Sequence, residues 1–204
     1  MLSALIAGIG GMLTAFISAF SYGGIFVLMF LESANIPIPS EVIMPFGGFL
    51  AANNKMIFWL VVAAGTLGNI GGSAFSYWLG LRGEERWGKY FGITARDVAR
   101  VHHWFDRFGP ITILVAKFIP AVRTFVSFPA GMYKMDFKKF LLYTGIGSLG
   151  WSWILTHLGV LLGGKWQDIG KVMDRFNIVL LIAVIAIIVW WLWRHIARHR
   201  TRIS

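Results

Sequence analysis

Between Lys117 and Gly131 the chain reads Lys-Phe-Ile-Pro-Ala-Val-Arg-Thr-Phe-Val-Ser-Phe-Pro-Ala-Gly. Two cations and two prolines thus interrupt a run that is otherwise apolar enough for lipid. A charge at membrane depth costs several kcal/mol, so its presence there points to a use. The apolar arms on either side, Ile111 to Ala116 and Phe125 to Met132, are too short to cross a bilayer, which takes ~20 helical residues. A second interrupted stretch, Glu32-Ser-Ala-Asn-Ile-Pro-Ile-Pro-Ser-Glu41, carries two carboxylates and two prolines between equally short arms. Irregular backbone at that depth is tolerated only inside protein or beside a wet cavity. Residues 22–52 and 110–132 are therefore expected to be re-entrant hairpins, broken by Pro37 and Pro39 in the first and by Pro120 and Pro129 in the second.

Composition supports a membrane setting. Of 204 residues, 57% are hydrophobic and only 14% charged, against about 25% charged in soluble domains. A formal net charge of +10 would suggest nucleic acid in a soluble chain, but here it points to anionic membrane surface. No nucleic-acid partner is expected. The absence of cysteine excludes disulfides and thiolate chemistry. Residues 1–31 contain no Lys or Arg, so the basic start of a secretory signal is missing.

Along the chain, residues 1–21 carry Leu2, Leu5, Ile6, Ile9, Leu13, Phe16, Ile17 and Phe20 at helical spacing. This helix could span or lie at the interface. Residues 56–81 form a spanning helix whose Ala64, Gly68, Gly72, Ser76 and Gly80 let another helix approach closely. The polar segment 82–109 mixes cations with Trp and Tyr, as in a cytoplasmic loop lying on headgroups. Residues 140–164 span again, with Thr144, Ser148, Ser152 and Thr156 as a weakly polar stripe, and 178–193 form a last helix before the basic tail 194–204. The positive-inside rule puts that tail in the cytoplasm. Counting back from it brings the two hairpins in from opposite leaflets.

An internal repeat agrees with this parity. Gly68-Asn-Ile-Gly71-Gly-Ser73 and Gly80 align without gaps on Gly147-Ser-Leu-Gly150-Trp-Ser152 and Gly159, and Ile36-Pro37 and Gly48 align on Ile119-Pro120 and Gly131, with Pro45 one position out of register with Pro129. The expected fold is an all-α integral membrane protein, a single domain built as an inverted repeat of re-entrant hairpin plus Gly-rich transmembrane helix, with flanking N- and C-terminal helices. Gly68, Gly71, Gly147 and Gly150 are the expected helix-packing positions.

Four charges meet in such an arrangement. Arg123 offers a planar fork suited to phosphate and Lys117 a point charge, while Glu32 and Glu41 are carboxylates able to carry protons in a poorly hydrated site. These residues fit a proton-coupled carrier of an anionic headgroup. A carrier of a small soluble solute would use the same charges, and a scaffold would use them only as buried ion pairs. Enzyme motifs are missing: there is no His-Glu-x-x-His, P-loop or Gly-x-Ser-x-Gly. His157 has no acid or second His near it in sequence, and His102 and His103 lack a metal-ligand spacing. No catalytic residue, metal or cofactor is expected.

Leu31-Glu32, Pro37-Ile-Pro-Ser-Glu41-Val-Ile-Met-Pro, Tyr77-Trp-Leu-Gly80 and Phe118-Ile-Pro-Ala-Val-Arg123 together resemble the DedA family of bacterial inner-membrane proteins, related to the VTT-domain lipid scramblases. The resemblance covers about residues 20–165. It implies translocation of polyprenyl phosphates, notably undecaprenyl phosphate, between leaflets for cell-envelope synthesis, driven by the proton-motive force. It also implies residence in the bacterial cytoplasmic membrane and roles for Glu32 and Glu41 as hairpin acids and for Arg123 as the hairpin arginine. Lys117 stands where many members have Arg, so the charge survives but the bidentate fork does not. A homo-oligomer is compatible with the sequence.

Overall fold

The computed structural model describes residues 2–36, 38–86 and 105–162, all of them helical or in the turns between helices. Seven helices are labelled α1 (Leu2–Ser33), α2 (Ser40–Ala52), α3 (Phe58–Arg86), α4 (Ile111–Ala116), α5 (Pro120–Phe125), α6 (Ser127–Met132) and α7 (Phe137–Leu162). Gly8–Gly163 forms one compact unit, while Met1–Ala7 groups with Gly164–Ser204, of which only the opening turns of α1 are described. The expected last helix at 178–193, the tail and most of the 82–109 loop lie outside the described residues.

Among the described residues, three helical stretches are long and apolar enough to cross a membrane: Gly11–Ser33, Phe58–Arg82 and Phe137–Leu162. Helices α3 and α7 overlap the segments 56–81 and 140–164. Helix α1 runs on past residue 21 with a kink there. Ser21 adopts φ 49° and ψ −129°, outside helical space, and divides α1 in two. Next to the kink, the Tyr22 hydroxyl accepts the Ile57 N–H at 2.8 Å, fixing the second half of α1 to the start of α3.

The short elements follow from proline chemistry. A proline cannot donate to the carbonyl four residues before it, and its ring crowds that carbonyl. Helix α4 ends at Ala116, four residues before Pro120, and Pro120 then opens α5 at the position where its missing N–H costs nothing. Helix α5 ends at Phe125, four residues before Pro129, which lies in the first turn of α6. Pro39 caps α2 in an extended conformation (φ −76°, ψ 106°). Pro37 falls outside the described residues, yet its position in sequence already denies the Ser33 carbonyl a helical partner, and α1 stops there. At 13 residues, α2 is ~20 Å long, and α4, α5 and α6 have 6 residues each, so none reaches across the ~30 Å hydrocarbon core alone.

Glycines set how these pieces pack. Helix α2 lies against α7, and α6 against α3. A Cβ on Gly48 would collide with the Thr156 carbonyl oxygen, and one on Gly159 with the Pro45 carbonyl. In the other pairing, a Cβ on Gly131 would collide with the Tyr77 carbonyl and one on Gly80 with that of Phe128. Backbone therefore touches backbone at both crossings. The first half of each broken segment packs elsewhere: Gly68 faces Phe26 and Met29 of α1, and Gly71 faces the Phe30 ring. Correspondingly, Gly147 would bring a Cβ to 2.8 Å from Lys117 Cβ, and Gly150 would meet the Phe118 ring at 3.1 Å.

Candidate functional site

The breaks in α1–α2 and α4–α5 deliver their charges to one place. Glu32 lies in the last turn of α1, Lys117 caps the end of α4, and Arg123 lies in the last turn of α5. All three are buried, at 3%, 1% and 2% exposure. Such burial of a lysine and an arginine is unusual unless each is fully partnered.

Arg123 finds its partner in Glu32. Its Nη2 donates to both carboxylate oxygens, at 2.8 Å to Oε1 and 2.7 Å to Oε2, and its Nε donates to Oε1 at 3.1 Å. The Thr124 hydroxyl adds a bond to Oε1 at 3.3 Å and the Ser33 hydroxyl one to Oε2 at 3.4 Å. The Trp151 ring packs 5.1 Å from the guanidinium carbon, as a cation–π contact. Among the described residues this is the sole ion pair joining the two broken segments.

Lys117 is held differently. Its Nζ donates to Asn69 Oδ1 at 3.0 Å, Ser73 Oγ at 2.8 Å and the Arg123 carbonyl at 3.4 Å. Three acceptors around one nitrogen match the three hydrogens of an ammonium. All three are neutral. Asn69 Oδ1 also accepts from Ser148 Oγ at 2.6 Å and Ser73 Oγ at 3.4 Å, so it ties α3, α7 and the lysine together. With one carboxylate between two cations, the cluster of Glu32, Arg123 and Lys117 carries a formal charge of +1.

Glu41 stands apart. It lies half-buried in the first turn of α2 and forms no ion pair with a described residue, although the Arg123 charge acts on it. His157 stacks on Trp153 at 5.2 Å, edge-on to Phe58.

On the outer side of α4 and α5, an apolar groove of about 670 Å³ is lined chiefly by Phe108, Ile111, Val115, Ile119, Val122 and Phe125. Asn69, Ser73, Thr124 and Trp151 escaped the sequence reading as site residues. Asn69 carried the one usable signal: an amide in the middle of an apolar helix, four residues before a serine, needs partners inside the protein.

Comparison with known proteins adds a family. The model for the VTT domain matches residues 38–161. A protein of Lactococcus lactis named alkaline phosphatase-like protein is 34% identical, over 83% of each chain. Undecaprenyl phosphate transporter A of Bacillus subtilis is 30% identical, over 82% of this chain and 84% of its own. Protein DedA of Escherichia coli is 29% identical, over 82% of this chain and 78% of its own. No solved structure matches.

Proposed function

Because this chain belongs to the VTT-domain family, which includes DedA, we propose that it is a lipid-phosphate translocase that moves undecaprenyl phosphate between the leaflets of a bacterial cytoplasmic membrane. The observation that carries the proposal is the buried cluster with one cation in excess: Arg123 matched by Glu32, Lys117 held by neutral oxygens. A monoanionic or dianionic phosphate is the ligand such a cluster suits.

The geometry gives a chemical route. A phosphate approaching Lys117 competes with Glu32 for the Arg123 fork, since carboxylate and phosphate take the same bidentate pairing. Glu32 released from its arginine is a buried carboxylate without a counter-ion, a state that is relieved by taking up a proton. Binding of the anion and uptake of a proton are then one event, and the return of Glu32 to Arg123 expels both. In this reading the lipid's prenyl chain stays in the bilayer. Glu41, in the first turn of α2 on the other side of the same break, would be a second proton group.

The same reading takes the two broken segments as re-entrant hairpins of an inverted repeat. Two observations support it. Each repeat's Gly-rich helix packs on the first arm of its own hairpin and the second arm of the other, through the reciprocal pairs Gly48–Gly159 and Gly131–Gly80. In addition Asn69 and Ser148, equivalent positions in the gap-free alignment, hydrogen-bond to each other, as residues at a pseudo-twofold axis would.

Leaflet exchange of undecaprenyl phosphate in proteoliposomes tests the proposal. Wild type should exchange it and Arg123→Ala should not, while a zwitterionic lipid of equal chain length should stay put in both. Exchange no faster than in empty vesicles, from protein shown to be folded, would overturn it.

A further inference from the structure

We infer that Asn69 is a positioning residue whose task is to hold the Lys117 ammonium with a neutral oxygen, leaving that charge uncompensated for an incoming phosphate. The inference rests on the translocase reading and adds to it a residue on the opposite, Gly-rich helix.

The argument starts from burial. An ammonium at 1% exposure needs acceptors on all sides, and a carboxylate would be the strongest one available. The site supplies Asn69 and Ser73 instead, one helical turn apart on α3, and both oxygens point at Nζ. Neutral acceptors solvate the charge without cancelling it. Glu32, the one acid in the cluster, is fully engaged with Arg123, Thr124 and Ser33 and makes no hydrogen bond to Lys117.

Asn69 is itself fixed from the far side. Ser148 donates to the same oxygen at 2.6 Å, so the amide is held where α3 packs on α7. Gly147, next to Ser148, leaves room for the lysine stem: a side chain there would strike Lys117 Cβ and Cγ at 2.8 and 3.0 Å. The α3–α7 crossing thus forms a socket shaped for a lysine and chemically neutral towards its charge.

A purely structural role for Asn69 predicts the opposite response to one substitution. Asn69→Asp puts a carboxylate beside Lys117 and brings the formal charge of the cluster from +1 to zero. If Asn69 only secures the lysine, Asp secures it better, and lipid binding is unchanged. If Asn69 keeps the charge available, Asp competes with phosphate. Half-saturating undecaprenyl phosphate should then rise on the order of tenfold or more, with the fold intact. The measurement is retention of labelled undecaprenyl phosphate by the full chain in nanodiscs, with phosphatidic acid as a second phosphate-headed lipid, alongside thermal unfolding of the same samples. Asn69→Ser, a shorter neutral acceptor, should stay within about threefold of wild type. If Asn69→Asp does not fold, Ser73→Asp poses the same question, because Ser73 Oγ is 2.8 Å from Nζ. Binding by the aspartate variant equal to wild type overturns the positioning role alone. Failure of wild type to bind either lipid overturns this inference together with the translocase reading.

Discussion

Replacing Glu32 by Gln separates what the ion pair does for the fold from what it does for the ligand. In the native cluster both Nε and Nη2 of Arg123 bond Oε1, at 3.1 and 2.8 Å, and Nη2 alone reaches Oε2, at 2.7 Å. A glutamine carbonyl can keep the first two bonds, but its NH2 group then opposes Nη2, and the guanidinium loses its counter-charge. Removing one partner of a buried pair costs about 3–5 kcal/mol, and the two retained bonds put this case at the lower end, about 3 kcal/mol. For a chain of this size that lowers the unfolding midpoint on the order of 10 °C. Ligand binding should move the other way. Phosphate no longer has to displace a carboxylate from Arg123, so affinity should increase at least tenfold, each factor of ten being ~1.4 kcal/mol. Thermal scans of wild type and Glu32→Gln in detergent, each with and without undecaprenyl phosphate, read both effects through ligand linkage. The variant should start lower and gain more from the lipid. A variant as stable as wild type without lipid, or one that gains less from it, would refute displacement of Glu32 as the binding step.

Two further outcomes follow from the fold. Gly48→Ala drives a Cβ into the Thr156 carbonyl and should cost about 3 kcal/mol by thermal unfolding, whereas Gly11→Ala, with open space around it in α1, should be neutral or stabilising by up to about 1 kcal/mol. In the loop after α6, Tyr133 donates to Asp106 at 2.6 Å, and this hydrogen bond raises the phenol above its ordinary value of 10.0. Since the protonated form is the one favoured, the contribution is fully present below pH 10 and is lost as pH rises through the raised value. Ultraviolet titration of tyrosinate should show a late-titrating phenol that titrates at lower pH in Asp106→Asn.

How much of this was legible in the sequence depends on the kind of signal. Prolines act on a carbonyl at a fixed distance, so the ends of α4 and α5 could be read from Pro120 and Pro129. That charges from the two broken segments come together was readable because charges in apolar segments have few stable places to go. Which acid meets the arginine was not. Both acids flank the same break, and it is Glu32, at the end of α1, that bonds Arg123. The Ser21 kink has no proline to mark it; the signal beside it is Gly23-Gly24, two residues on. Asn69, Ser73 and Ser148 were hidden for another reason. Small polar residues on a Gly-rich helix look the same whether they only pack or also hold a lysine, and the difference appears once α3 and α7 cross.

The central claim is that phosphate-lipid movement and proton uptake share one carboxylate. It is tested most directly by leaflet exchange of undecaprenyl phosphate under an imposed pH gradient, comparing wild type with Glu32→Gln. The account predicts that the gradient drives net movement in wild type and that Glu32→Gln still binds the lipid but no longer responds to the gradient. A Glu32→Gln protein that follows the gradient as wild type does would contradict it.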